Sequence, residues 1–162
     1  MFFFYMIATI VWVHQMRKYK DNTISLHCHF CILILLTCIE CAITFIEYNV
    51  YNDLGRRKLP LTVLSVLFFA LRDTVGHLVC LLVSLGYGIV MSVLNRYSTK
   101  IGLLSFLFFI AVAINQSSFY VHQIIPFSVT MKGMIVLPQL ILEIIYMVWI
   151  VKALLRTLGY LK

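Results

Sequence analysis

The chain has 162 residues, of which 62% are hydrophobic and 12% charged, and its formal net charge at pH 7 is +7. With a mean hydropathy of +0.99, too few polar side chains remain to cover a soluble domain of this size, which excludes that class and points to a polytopic membrane protein. The basic excess then needs no nucleic-acid partner, because lysines and arginines that flank spans and set their orientation account for it.

Five apolar segments follow one another along the chain. The first covers residues 1–15 and stops at the basic Arg17-Lys18-Tyr19-Lys20. Crossing hydrocarbon takes about 20 residues, so this segment is short and looks like a helix missing its beginning. No basic region precedes its apolar run and no small-x-small cleavage site follows, so it does not read as a secretory signal. The second segment spans residues 24–46, interrupted by Glu40, and is expected to give way to a loop over the turn-rich EYNVYNDLGRRKLP.

The third segment, residues 61–94, would be about 50 Å long as a single helix, more than one bilayer needs and too little for two spans. It is expected to be one long or tilted helix. The fourth covers residues 101–121 and the fifth residues 132–158, where Pro138 is placed to kink the first turns. No segment alternates apolar and polar residues as a barrel strand does. The expected fold is an all-α transmembrane bundle of about five helices forming one domain, residues 1–162.

Threading these spans puts Arg17, Lys18, Lys20, Arg96, Lys100, Lys152, Arg156 and Lys162 on one side, against Arg56, Arg57, Lys58 and Lys132 on the other. The richer side is expected to be cytosolic, with the N-terminus lumenal or extracellular and the C-terminus cytosolic. Asn115-Gln116-Ser117 is an N-x-S sequon on the expected lumenal side, a candidate for glycosylation that chance also produces often.

The run Ser84-Leu85-Gly86-Tyr87-Gly88-Ile89-Val90 lies close to the TVGYG signature of potassium filters. A filter needs extended backbone and a re-entrant helix before it, yet this run sits inside a continuous apolar segment with no turn formers ahead of it. Gly76, Cys80, Ser84 and Gly88 recur instead every four residues, a stripe of small side chains that lets helix backbones approach closely. The glycines read as a packing seam.

Glu40, Arg72, Asp73, His77 and Glu143 fall within the spans, where ionisable groups are costly and are paired or functional. Comparable depth makes Glu40–Arg72 an expected ion pair, and Asp73 and His77 share a face at i, i+4. Two readings of this cluster stand. One is a polar cavity or ion pathway between the second, third and fifth helices; the other, favoured, is a set of pairs that fix helix register.

The string His27-Cys28-His29-Phe30-Cys31, followed by Cys38 and Cys41, suggests metal ligands at first sight. On one helix, however, Cys28 and Cys41 lie about 20 Å apart, too far to share an ion, so no metal is expected. Tyr87, Tyr97, Trp12, Tyr48, Tyr51 and Tyr146 read as interfacial or packing aromatics. No HExxH, GxSxG, P-loop or dinucleotide turn is present, and neither catalysis nor a cofactor is expected.

The segment ALRDTVGHLVCLLVSLGYGIV, residues 70–90, resembles the third transmembrane helix of the GOLD-domain seven-transmembrane family, also called the lung seven-transmembrane receptor family, in its TMEM87-like branch. IECAITFIEYNVYNDLG, residues 39–55, is similar to that family's second helix and first lumenal loop. LPQLILEIIYMVWIVKALLRTL, residues 137–158, resembles its fifth helix. The family also has a lumenal β-sandwich and seven helices, so the chain is expected to be a fragment or a reduced relative. The resemblance implies a multi-pass Golgi membrane protein acting in vesicle trafficking between Golgi, endosomes and plasma membrane, with membrane lipids and membrane-protein cargo as partners. It leaves open a cation channel or transport protein using the acidic residues. A seven-helix ligand receptor is weakened because residues 94–100 read LNRYSTK where a DRY-like triplet would stand.

Overall fold

In the computed structural model the described residues are 2–18, 25–85, 98–122 and 128–160. They form five helices and, among the described residues, no strand: α1 (Phe2–Lys18), α2 (Ser25–Leu54), α3 (Leu59–Ser84), α4 (Ser98–His122) and α5 (Val129–Tyr160). Among the described residues four stretches are long and apolar enough to cross a membrane: His29–Leu54, Leu59–Ser84, Thr99–His122 and Thr130–Arg156. The all-α expectation is therefore met, and α1 carries only the shorter apolar stretch Phe4–His14. Helices are the natural solution because hydrocarbon offers no partner to a free N–H or C=O.

Hydroxyls inside these helices follow the same rule. Thr9 donates to the Tyr5 carbonyl at 2.7 Å, Thr37 to Leu33 at 2.8 Å and Ser84 to Cys80 at 2.8 Å. Each satisfies its hydroxyl within its own helix.

α2 departs from expectation. It continues through Glu47 to Leu54, two turns into the stretch read as a loop. Gly55 ends it, with φ +63° and its N–H on the Tyr51 carbonyl at 2.9 Å. This is a left-handed C-terminal cap, a conformation that carries a steric penalty for residues with a Cβ. α3 opens with Pro60 in its first turn, where a missing N–H costs nothing. It is described to Ser84, with the Leu85 N–H on the Leu81 carbonyl at 3.0 Å. The remainder of the expected segment, to residue 94, lies outside the described residues, as do Gly86, Tyr87, Gly88 and Tyr97.

The chain divides into two compact units, Met1–Arg72 and Asp73–Lys162. In the first, α1 packs on α2, with the Trp12 ring 6.3 Å from that of Phe30. In the second, α4 packs on α5 around Phe108 and Tyr146, both fully buried. Large apolar side chains on the outer faces, such as Phe45, Phe106 and Met147, are exposed, as lipid-facing positions require.

Candidate functional site

The polar residues of the spans fall into defined pairs. In the first unit the Arg72 guanidinium lies 3.4 Å from Glu40 and 4.9 Å from the centre of the Phe69 ring. The expected Glu40–Arg72 pair therefore forms. A second and tighter set stands at the α2–α3 turn. Glu47, only 2% exposed, accepts from Arg57 Nη1 at 2.8 Å and from the Thr62 hydroxyl at 2.9 Å. The Arg57 guanidinium also sits 5.1 Å from the Tyr51 ring and 5.8 Å from that of Tyr48, so its charge is held by a carboxylate and two aromatic faces.

Glu47 was absent from the expected cluster because it stood at the start of a presumed loop. A signal for it exists in the sequence. Thr37, Glu40, Thr44, Glu47 and Tyr51 recur at three- and four-residue steps through an otherwise apolar helix, placing them on one face of α2. Thr37 and Glu47 on that face are buried.

In the second unit His77 is the hub. Its Nδ1 lies 3.0 Å from the Asp73 backbone oxygen, one turn earlier. A carbonyl only accepts, so Nδ1 carries a proton, and Nε2 faces Glu143 Oε1 at 4.0 Å. The i, i+4 contact expected between Asp73 and His77 thus uses the Asp73 carbonyl. The Asp73 carboxylate takes no ion-pair partner among the described residues. The His77 ring lies 4.6 Å from that of Phe108 and 5.5 Å from that of Tyr146. Phe108 and Tyr146 meet edge to face at 5.3 Å, and the Tyr146 hydroxyl shares a 2.8 Å hydrogen bond with Ser105. Glu143 itself is 48% exposed on α5.

The small-residue stripe is placed unevenly. Ser84 is buried, but Cys80 is exposed, and Gly88 lies outside the described residues. Burial on α3 falls instead on Val66, Ala70 and Thr74, themselves spaced four apart, and on Val79, Leu81, Leu82 and Ser84 near its C-terminal end.

Asn115 of the sequon sits within α4, and its amide nitrogen donates to Gln139 Oε1 of α5 at 2.6 Å. Tyr146 is core rather than interfacial. Of the described cysteines, Cys31, Cys38, Cys41 and Cys80 are free.

Long apolar helices with ion pairs and hydrogen bonds built into their spans define a multi-pass membrane protein. Over residues 1–162 the chain matches the family described as GOST, seven transmembrane domain, and it belongs to that family. It is similar to Transmembrane protein 87B of Mus musculus, with 27% identity over 110 residues, 68% of this chain. The matched stretch covers 20% of that relative, so the chain spans far less than the relative's full length.

Proposed function

We propose that the chain works in the Golgi membrane, in vesicle trafficking between Golgi, endosomes and plasma membrane, through contacts with membrane lipids and membrane-protein cargo and without a catalytic step. The observation that carries this reading is membership of the GOST seven-transmembrane family across the whole chain. The N-terminus faces the lumen and the C-terminus the cytosol, in accord with the distribution of lysine and arginine.

The pairing of charges favours a scaffold over a conduit. Glu40 and Glu47 each face an arginine, an arrangement that fixes helix register and leaves less negative field for a passing cation. A tagged chain in cells depleted of the native protein tests the reading. Restored arrival of a synchronised cargo at the cell surface, with the tag at the Golgi, supports it; unchanged cargo kinetics on depletion sink it.

One observation favours a second reading, cation conduction: a half-exposed Glu143 beside His77 within a span. Currents from reconstituted protein that fall in Asp73→Ala and Glu143→Ala variants would establish it. Equal currents in all three forms remove it.

A further inference from the structure

Glu143 is the middle residue of the Thr130–Arg156 span. About 15 Å of hydrocarbon therefore separates it from either headgroup layer, further than a glutamate side chain reaches. Its carboxylate is nevertheless 48% exposed. It lies beside a stripe of exposed apolar residues on α5, Leu140, Met147, Val151 and Leu154, whose three- and four-residue steps put them on one side of the helix.

Little on the chain offsets this charge. His77 Nε2 stands 4.0 Å away, beyond hydrogen-bond distance, and the Nδ1 of that ring is spent on the Asp73 carbonyl. α4 holds its basic residues, Lys100 and His122, near its two ends. Lys132 and Lys152 of α5 lie about 17 and 14 Å along the helix axis from Glu143. Arg72 of α3 is engaged by Glu40. A carboxylate turned toward lipid at this depth is unfavourable, and its complement is a cation at the same depth.

The depth selects the source of that cation. A lipid headgroup amine does not descend to the bilayer midplane. A metal ion needs more ligands, and among the described residues no group of three His, Cys, Asp or Glu side chains could hold one. A second copy paired through the same face would set Glu143 against Glu143, like charges at one level. We propose that the Glu143 side of α5 docks a transmembrane helix of a membrane-protein cargo that carries a lysine or arginine near its middle. The cation pairs with Glu143, and the apolar neighbours on that helix pack along Leu140, Met147 and Val151. In naming the class of cargo the proposal rests on the trafficking reading; the docking itself needs only that α5 crosses a bilayer.

The test is energy transfer in phosphatidylcholine vesicles between the labelled full chain and a labelled membrane-spanning peptide. The peptide has about 20 leucines, with one arginine at its centre. Transfer above that of an all-leucine peptide is expected, with association weakened about tenfold in Glu143→Gln and largely kept in Glu143→Asp. Equal transfer from the two peptides overturns the proposal, as does equal association of Glu143→Gln and the native chain. A readout on the native chain alone guards against a misfolded variant. Moving the arginine two turns toward either end of the peptide should weaken association, and a displaced arginine that binds as well as the central one overturns the docking site. Failure of the trafficking reading reads out separately. Peptide binding with cargo kinetics unchanged on depletion supports the docking face and sinks trafficking alone; altered cargo kinetics without peptide binding overturn the docking face alone.

Discussion

Glu47 and Arg57 are ten residues apart in sequence and 2.8 Å apart in space, and the carboxylate is almost completely buried. The pair joins the last turns of α2 to the segment that leads into α3, and Thr62 on α3 adds a second donor to the same oxygen. One acidic side chain therefore ties a helix end, a turn and a helix start. Removing one member of a buried pair is costly because the other charge stays behind without compensation.

Arg57→Ala is accordingly expected to destabilise the chain by about 3 kcal/mol, and Thr62→Val by about 1 kcal/mol. Thermal unfolding of detergent-solubilised protein, followed by helical circular dichroism, measures both. An Arg57→Ala protein that melts with the native chain would mean that water already screens Glu47.

The Ser105–Tyr146 bond links α4 to α5 in a fully buried setting. Tyr146→Phe keeps the ring packing against Phe108 and His77 but leaves the Ser105 hydroxyl without its partner, at an expected cost of about 1 kcal/mol. Adding Ser105→Ala removes the orphaned hydroxyl, so the double variant should be less destabilised than the sum of the singles. A double-mutant cycle on unfolding free energies reads the coupling. Strict additivity would show that the bond contributes nothing to stability.

Much of the architecture was legible because lipid imposes a strong rule. Long apolar runs must be helices, and each of the five expected segments is helical over its described residues. What escaped lay where local signals conflict. Asn49, Asn52 and Asp53 favour turns, yet they sit inside α2, because Gly55 supplies the cap and Glu47 needs the helix to reach Arg57 and Thr62. Glu40–Arg72 was readable from depth alone, since both side chains are long enough to meet. The partner of His77 was not, because Asp73 is closer in sequence than Glu143, and it is the Asp73 backbone oxygen, not its carboxylate, that makes the contact. The Ser105–Tyr146 bond had no sequence signal: a serine and a tyrosine 41 residues apart are individually unremarkable.

The Asn115 sequon bears on topology and is easily checked. Its amide nitrogen is occupied by Gln139 within two packed helices, and attachment of a glycan would require that bond to open and α4 to unwind locally. The expected outcome is a cell-expressed chain whose gel mobility does not change on treatment with an N-glycosidase. A shift that disappears in Asn115→Gln would place this end of α4 in the lumen and show that the α4–α5 contact forms only after, or without, the Asn115 bond.

The Glu40–Arg72 pair gives the sharpest test of whether the charges within the spans fix helix register. Its separation of 3.4 Å, and the partial exposure of Arg72 at 29%, make it weaker than the Glu47 set. Either Glu40→Gln or Arg72→Gln leaves one charge in an apolar span, which is unfavourable by about 2.5–3.5 kcal/mol on insertion scales. Both single variants should therefore lower the yield of folded protein. Reversing the pair, Glu40→Arg with Arg72→Glu, preserves the attraction and should recover much of that yield, because opposite charges still face each other between α2 and α3. The Arg72 guanidinium also stacks near Phe69, a contact the reversed pair loses, so recovery should be incomplete. Size-exclusion profiles of the four forms decide it. A reversed pair no better than the singles would show that Arg72 is held by its aromatic neighbour and its own depth rather than by Glu40.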